Sequence, residues 1–131
     1  MQSNLPKDDS QYHWTNHVKG KMMQYRLSGS LIKSIINHPQ RREEGIASNT
    51  IAVMRPRKIA SRSRGKTSQE EIWVMYARSN VKAPTYAKAS AGKQMSKVII
   101  SAWRYPGVSP VGKTIYIPDD VLEELEKWFK Q

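Results

Sequence analysis

Lys97-Val98-Ile99-Ile100-Ser101-Ala102-Trp103 is the most apolar stretch that reads as a strand, and its lack of strict polar alternation suits an inner position in a sheet. Upstream, Glu71-Ile72-Trp73-Val74-Met75-Tyr76 alternates enough to have one buried face. Gln40 to Ala47 and Thr50-Ile51-Ala52-Val53-Met54, separated by the turn signal Ser48-Asn49, predict an antiparallel pair. These segments together make four strands.

Two helices are expected before the strands and one after them. Trp14, Val18, Met22 and Tyr25 recur at helical spacing within WTNHVKGKMMQYR, with Thr15 or Asn16 available as a cap. Ser28 and Ser30 can cap a second helix whose stripe is Leu31, Ile32, Ile35 and Ile36, ended by Asn37-His38-Pro39. At the far end, DDVLEELEKWFK sets acids at the positive end of a helix and Lys127 and Lys130 at the negative end. Its apolar face is Val121, Leu122, Leu125, Trp128 and Phe129. The expected architecture is therefore α+β: an N-terminal helical hairpin packed on a four-stranded antiparallel sheet, with a C-terminal helix and the other sheet face open for binding. Residues 1–12 read as a flexible arm and 13–131 as a single domain. Basic loops are expected near 55–67 and 78–94, where Gly, Ser, Arg and Lys replace any period.

The length of 131 residues fits one domain, and 38% hydrophobic residues suffice for a modest core. There is no cysteine, which excludes a disulfide framework, a thiolate nucleophile and cysteine-ligated metal sites. No apolar run approaches the roughly 20 residues of a spanning helix, and Met1 to Ser10 is polar with Asp8 and Asp9, unlike a signal peptide, so a soluble cytoplasmic protein is expected.

Charge carries the functional reading. The net charge is +11, and residues 55–104 hold twelve Lys and Arg against two acids. Arg55, Arg57, Lys58, Arg62, Arg64 and Lys66 form one acid-free cluster; Arg78, Lys82, Lys88, Lys93 and Lys97 form a second. A field this one-sided attracts polyanions, and displacement of counterions from phosphates makes a nucleic acid the natural partner. Neither cluster has the bulky apolar face that insertion into a membrane surface requires. The second helix carries only Lys33, a poor match to a DNA-recognition helix, so RNA is preferred.

His13, His17 and Lys21 recur every four residues and would share one side of the first helix. A histidine can take the proton of a ribose 2′-hydroxyl, and a lysine can stabilise charge on a phosphate oxygen. Tyr76 and Arg78 leave the third strand, and Trp103, Arg104 and Tyr105 leave the fourth, so guanidinium groups and aromatic faces could meet beside the basic loops. The candidate catalytic residues are thus His17, Lys21, Tyr76 and Arg104. The RNA-contacting candidates are Arg55, Arg57, Lys58, Arg62, Arg64, Lys66, Arg78, Lys82, Lys97 and Tyr105. No metal or cofactor is expected: the histidines lack a His-Glu-x-x-His frame, and Val111-Gly112-Lys113-Thr114 lacks the first glycine and the following helix of an ATP loop.

The run His17-x-x-x-Lys21-Met22, then Leu27-Ser28, then Ile35-Ile36-x-x-Pro39, with the later Ile99, Ala102, Trp103, Arg104 and Tyr105, resembles an uncharacterised domain-of-unknown-function family related to the BrnT and RelE toxin ribonucleases. The resemblance implies a RelE-like fold, metal-independent RNA cleavage and neutralisation by an antitoxin protein. Tyr25-Arg26 and the two basic insertions depart from that pattern. Two functions follow as expectations: a toxin-like, metal-independent endoribonuclease, or a non-catalytic RNA-binding protein, with the ribosome as one candidate partner.

Overall fold

A computed structural model of the chain describes residues 5–44, 50–60, 67–78, 96–110 and 115–129. In chain order the elements are β1 (Tyr12–Trp14), α1 (Asn16–Tyr25), α2 (Gly29–Asn37), β2 (Arg41–Glu44), β3 (Thr50–Ala60), β4 (Thr67–Arg78), β5 (Lys97–Pro106) and α3 (Asp119–Phe129).

The strands form one five-stranded sheet in the order β1-β5-β4-β3-β2. β2, β3, β4 and β5 pair antiparallel, but β1 pairs parallel with β5, Tyr12 opposite Lys97 and Trp14 opposite Ile99. The expected four-stranded antiparallel sheet opened by a helical hairpin is therefore corrected to a five-stranded mixed sheet opened by a strand. Tyr12 and Trp14 are buried on either side of exposed His13, the period-2 pattern of a strand. His13 consequently stands on β1 and not on α1 with His17.

α1 and α2 each start where a side-chain oxygen can take a free amide. Thr15 accepts from the Val18 N–H at 3.1 Å, and Ser28 from the Leu31 N–H at 3.0 Å. The Thr15 hydroxyl also lies within hydrogen-bonding distance of the Ile99 and Ile100 carbonyls, at 3.0 and 2.9 Å, and ties the start of α1 to β5. α1 closes on Arg26 in the left-handed conformation (φ 58°), whose N–H donates to the Met22 carbonyl. α2 ends as its Asn37-His38-Pro39 reading predicts, with the His38 N–H donating to Ser34.

Both faces of the sheet are covered. On the first face Val18, Met22, Ile32, Ile35 and Ile36 of α1 and α2 pack on Ile51, Val53, Ile72, Val74, Tyr76 and Ile99. On the second, Val121 and Leu125 of α3 and Ile115 pack on Met54, Trp73, Met75, Ile100 and Trp103. This corrects the expectation of an open second face. Leu122, assigned to the buried stripe of α3, is exposed; the side chains of Trp128 and Phe129 lie outside the description. β5 serves both cores by alternation, and its register shift beside Met75 and Tyr76, which leaves Ile100 as the extra residue, lets Ile99 and Ala102 face the first core and Ile100 and Trp103 the second.

Two further expectations change. Residues 55–60, read as the start of a loop, continue β3 against β4. Pro56 is tolerated because β2 pairs only as far as Met54, so no neighbour needs the missing N–H. In the segment read as an arm, Leu5 packs on the first core, Asp9 accepts from the Gln11 and Tyr12 amides, and Asp8 accepts from the Trp14 amide. The Ser48-Asn49 turn lies outside the described residues. Among the described residues no helix is long and apolar enough to cross a membrane.

Candidate nucleic-acid interface

Strand periodicity sorts the cationic candidates. Arg55, Arg57 and Arg104 share the first face with Val53 and Ile72, since Ile72 pairs with both Arg55 and Arg104, and Glu70 pairs with Arg57. At this end of the sheet Glu70 is 7% exposed and is held between two guanidinium groups. Arg104 Nε donates to its Oε1 at 2.8 Å, and Arg57 Nε to its Oε2 at 3.1 Å. Arg55 reaches the Ser34 hydroxyl of α2. Two arginines, one from β3 and one from β5, thus share one carboxylate, and the side chains of Arg57 and Arg104 remain 41% and 34% exposed.

The opposite end of the same face holds Arg78 and Lys97, which pair across β4 and β5. From Ile72 to Arg78 is about 20 Å of extended strand, so the cations form two groups and not one patch. Lys97 sits over the Tyr12 ring, 5.8 Å from its centroid. Lys58 is exposed and lies on the second face, two residues beyond Pro56. Arg62, Arg64, Lys66 and Lys82 lie outside the described residues.

α1 continues along β5 where β1 stops, and His17, Lys21 and Tyr25 succeed one another at four-residue intervals on it. Tyr25 packs against both cores, as a residue at the sheet margin must. Its ring takes Lys21 Nζ at 5.6 Å and Arg104 Cζ at 5.9 Å from the centroid. α1 therefore joins Lys21 to the Arg57–Arg104 group. His17 lies two turns earlier, about 12 Å from Tyr25 along the axis.

Carboxylates of α3 occupy the His17 end. Lys21 is ion-paired with Asp120, and His17 lies 3.8 Å from Glu124 through Nδ1 and 4.0 Å from Asp120 through Nε2. That Nε2 is buried and makes no hydrogen bond. Burial tends to raise the Asp120 pKa, but the Lys21 hydrogen bond and charge, with His17, outweigh it and hold the carboxyl below 3.8. A cleft of about 780 Å³ opens here, lined by Asp8, His13, Trp14, His17, Glu124 and Lys127 among others.

Tyr76 does not join this set. It is 4% exposed in the first core, opposite Ile51 and Ile99, and burial pushes its hydroxyl above 10.0. The four catalytic candidates are therefore split: His17 and Lys21 adjacent on α1, Arg104 connected to them through Tyr25, and Tyr76 buried. Trp73 and Trp103 are stacked core residues with ring centroids 6.1 Å apart.

Glu70 and Tyr116 were not among the site residues expected from the sequence, and Tyr25 was read only as part of the α1 stripe. Glu70 had a signal, as one of only two acids among twelve cations. Among the described residues no group of three or more His, Cys, Asp or Glu is placed to hold a metal ion. No family model, curated protein or solved structure matches the chain.

Proposed function

We propose that the protein binds RNA through its phosphate backbone, using the end of the sheet where Arg57 and Arg104 share Glu70 and Arg55 stands beside them on the same face. The observation that supports this reading most is the shared carboxylate. One Glu70 cannot neutralise two guanidinium groups, each of which carries five N–H donors, so positive charge and donors remain for phosphate oxygens. The bridge through Tyr25 links this group to Lys21, whose own charge is paired with Asp120, so the open positive charge is concentrated on the arginines. Fluorescence anisotropy with a labelled RNA tests it. Affinity should fall as salt rises, and Arg57→Gln or Arg104→Gln should each weaken binding and reduce the salt slope by about 0.7 for a single strand. Affinity indifferent to salt and to both substitutions would reject the interface.

A second reading, metal-independent RNA cleavage, is favoured by His17 lining a cleft one helical turn from Lys21. Its chemistry requires an imidazole nitrogen to move a proton at the ribose 2′-oxygen or at the leaving oxygen, whereas both nitrogens of His17 face α3 carboxylates. Incubating RNA with the protein in excess EDTA decides: cleavage abolished by His17→Ala while binding persists supports the nuclease. RNA bound but left intact restricts the function to binding.

A further inference from the structure

We infer that Tyr116, buttressed by Tyr105, is a stacking platform for unpaired nucleobases, so that the RNA taken by this protein is single-stranded. The inference rests on the RNA-binding reading and names the form of RNA it selects.

β5 leaves the sheet at Pro106. Gly107 follows with φ +86°, a conformation natural to glycine, and its N–H donates to the Gln69 carbonyl. The chain later returns to the second core through Ile115, which is buried, and Ile117, which packs against the same cluster. Between them Tyr116 points outward and is 57% exposed, among the most exposed large hydrophobic residues described. Its ring lies 6.1 Å from that of Tyr105, inclined by 45°. Tyr105 packs on the second core, so one ring is anchored and supports another that is open to solvent.

The surroundings identify the ligand. Tyr105 directly follows Arg104, which projects to the opposite face toward Glu70 and Arg57. On the face of Tyr105, Lys58 stands exposed beyond Pro56, itself aligned with Glu71 and Tyr105 across the strands. A polynucleotide crossing this end of the sheet meets guanidinium groups on one face, and an ammonium group with an accessible aromatic surface on the other. Stacking requires the flat face of a base, which a duplex keeps inside its own stack, whereas an unpaired strand offers it freely.

The test uses the full chain and three probes: a labelled unstructured RNA of about a dozen nucleotides, the same RNA annealed to its complement, and inorganic polyphosphate. Tyr116→Ala should weaken single-strand binding by about tenfold with an unchanged salt slope, because a stacked ring releases no counterions. Duplex and polyphosphate binding should not move, and Tyr116→Phe, which keeps the ring, should behave as the parent. Single-strand affinity equal to the parent in Tyr116→Ala, or an equal loss for all three probes, overturns the platform while leaving RNA binding intact. If the parent protein binds none of the probes, the RNA reading falls and the platform with it.

Discussion

Glu70 and Glu71 are neighbours in sequence with opposite surroundings, because a strand sends successive side chains to opposite faces. Glu71, 1% exposed, accepts from Trp73 Nε1 and from the Ser109 amide, both at 3.0 Å. Glu71→Ala strands two buried donors and should cost about 2–3 kcal/mol in urea unfolding. Glu70→Gln should cost less, about 1 kcal/mol, because Arg57 and Arg104 can rehydrate. It should also strengthen RNA binding by removing a competing negative charge. These opposite effects of one substitution separate folding from binding. Tyr76 was legible as a strand residue but not as a buried one, since its neighbours Ala77 and Arg78 read as the edge of a loop. Its raised pKa contributes stability that is complete below pH 10.0 and is lost as pH rises through the folded value. Ultraviolet titration should show a phenol that ionises above pH 10.0 and is missing in Tyr76→Phe.

Among the elements, the union of α1 and α3 depends on side chains that the sequence presents as two unrelated surfaces. His17 and Lys21 read as a catalytic stripe, and Asp120 as a helix-dipole partner, since nothing in a linear pattern says which helix faces which. A double-mutant cycle with Lys21→Met and Asp120→Asn should give a coupling of about 0.5–1 kcal/mol, weakened by salt because Asp120 is partly exposed. The Asp120 carboxyl is depressed below 3.8, so the stability it contributes is complete above that pH and is lost as pH falls through its folded value. Acid titration of the parent against Asp120→Asn should reveal the difference in that window. α2 was legible nearly to the residue because cap, stripe and Pro39 agree. β1 was not: three residues are too few for a periodic signal, and Trp14 also fits the spacing of α1. The outer half of β3 was hidden by its arginines and Pro56, although Glu70 and Glu71 of β4 are partners of Arg57 and Pro56.

For the molecule as a whole, composition revealed the excess of positive charge but not its division between two ends of one face. Because Arg57 and Arg104 stand about 20 Å along the sheet from Arg78 and Lys97, the effects of Arg104→Gln and Lys97→Gln on RNA affinity should add to within about 0.5 kcal/mol. Strong coupling in that cycle would mean that the two groups do not contact the RNA independently. The mixed sheet escaped the sequence reading for a physical reason: a parallel neighbour requires a crossover, and the crossover between β1 and β5 contains most of the chain.

That crossover sets an order of assembly. Thr15 and Ile100 are hydrogen-bonded across 85 residues of sequence, so the first strand and the cap of α1 have no β-partner until most of the polypeptide exists. The hairpin of β3 and β4 has its contacts close at hand and can form early, while the amino-terminal strand must wait for the last one and then be captured at its margin. In pulse-labelled refolding, the Thr15 amide should therefore gain protection after those of Val53 and Val74. A nascent chain halted before Lys97 would expose the hydrophobic side of two finished helices to whatever chaperone stands nearest.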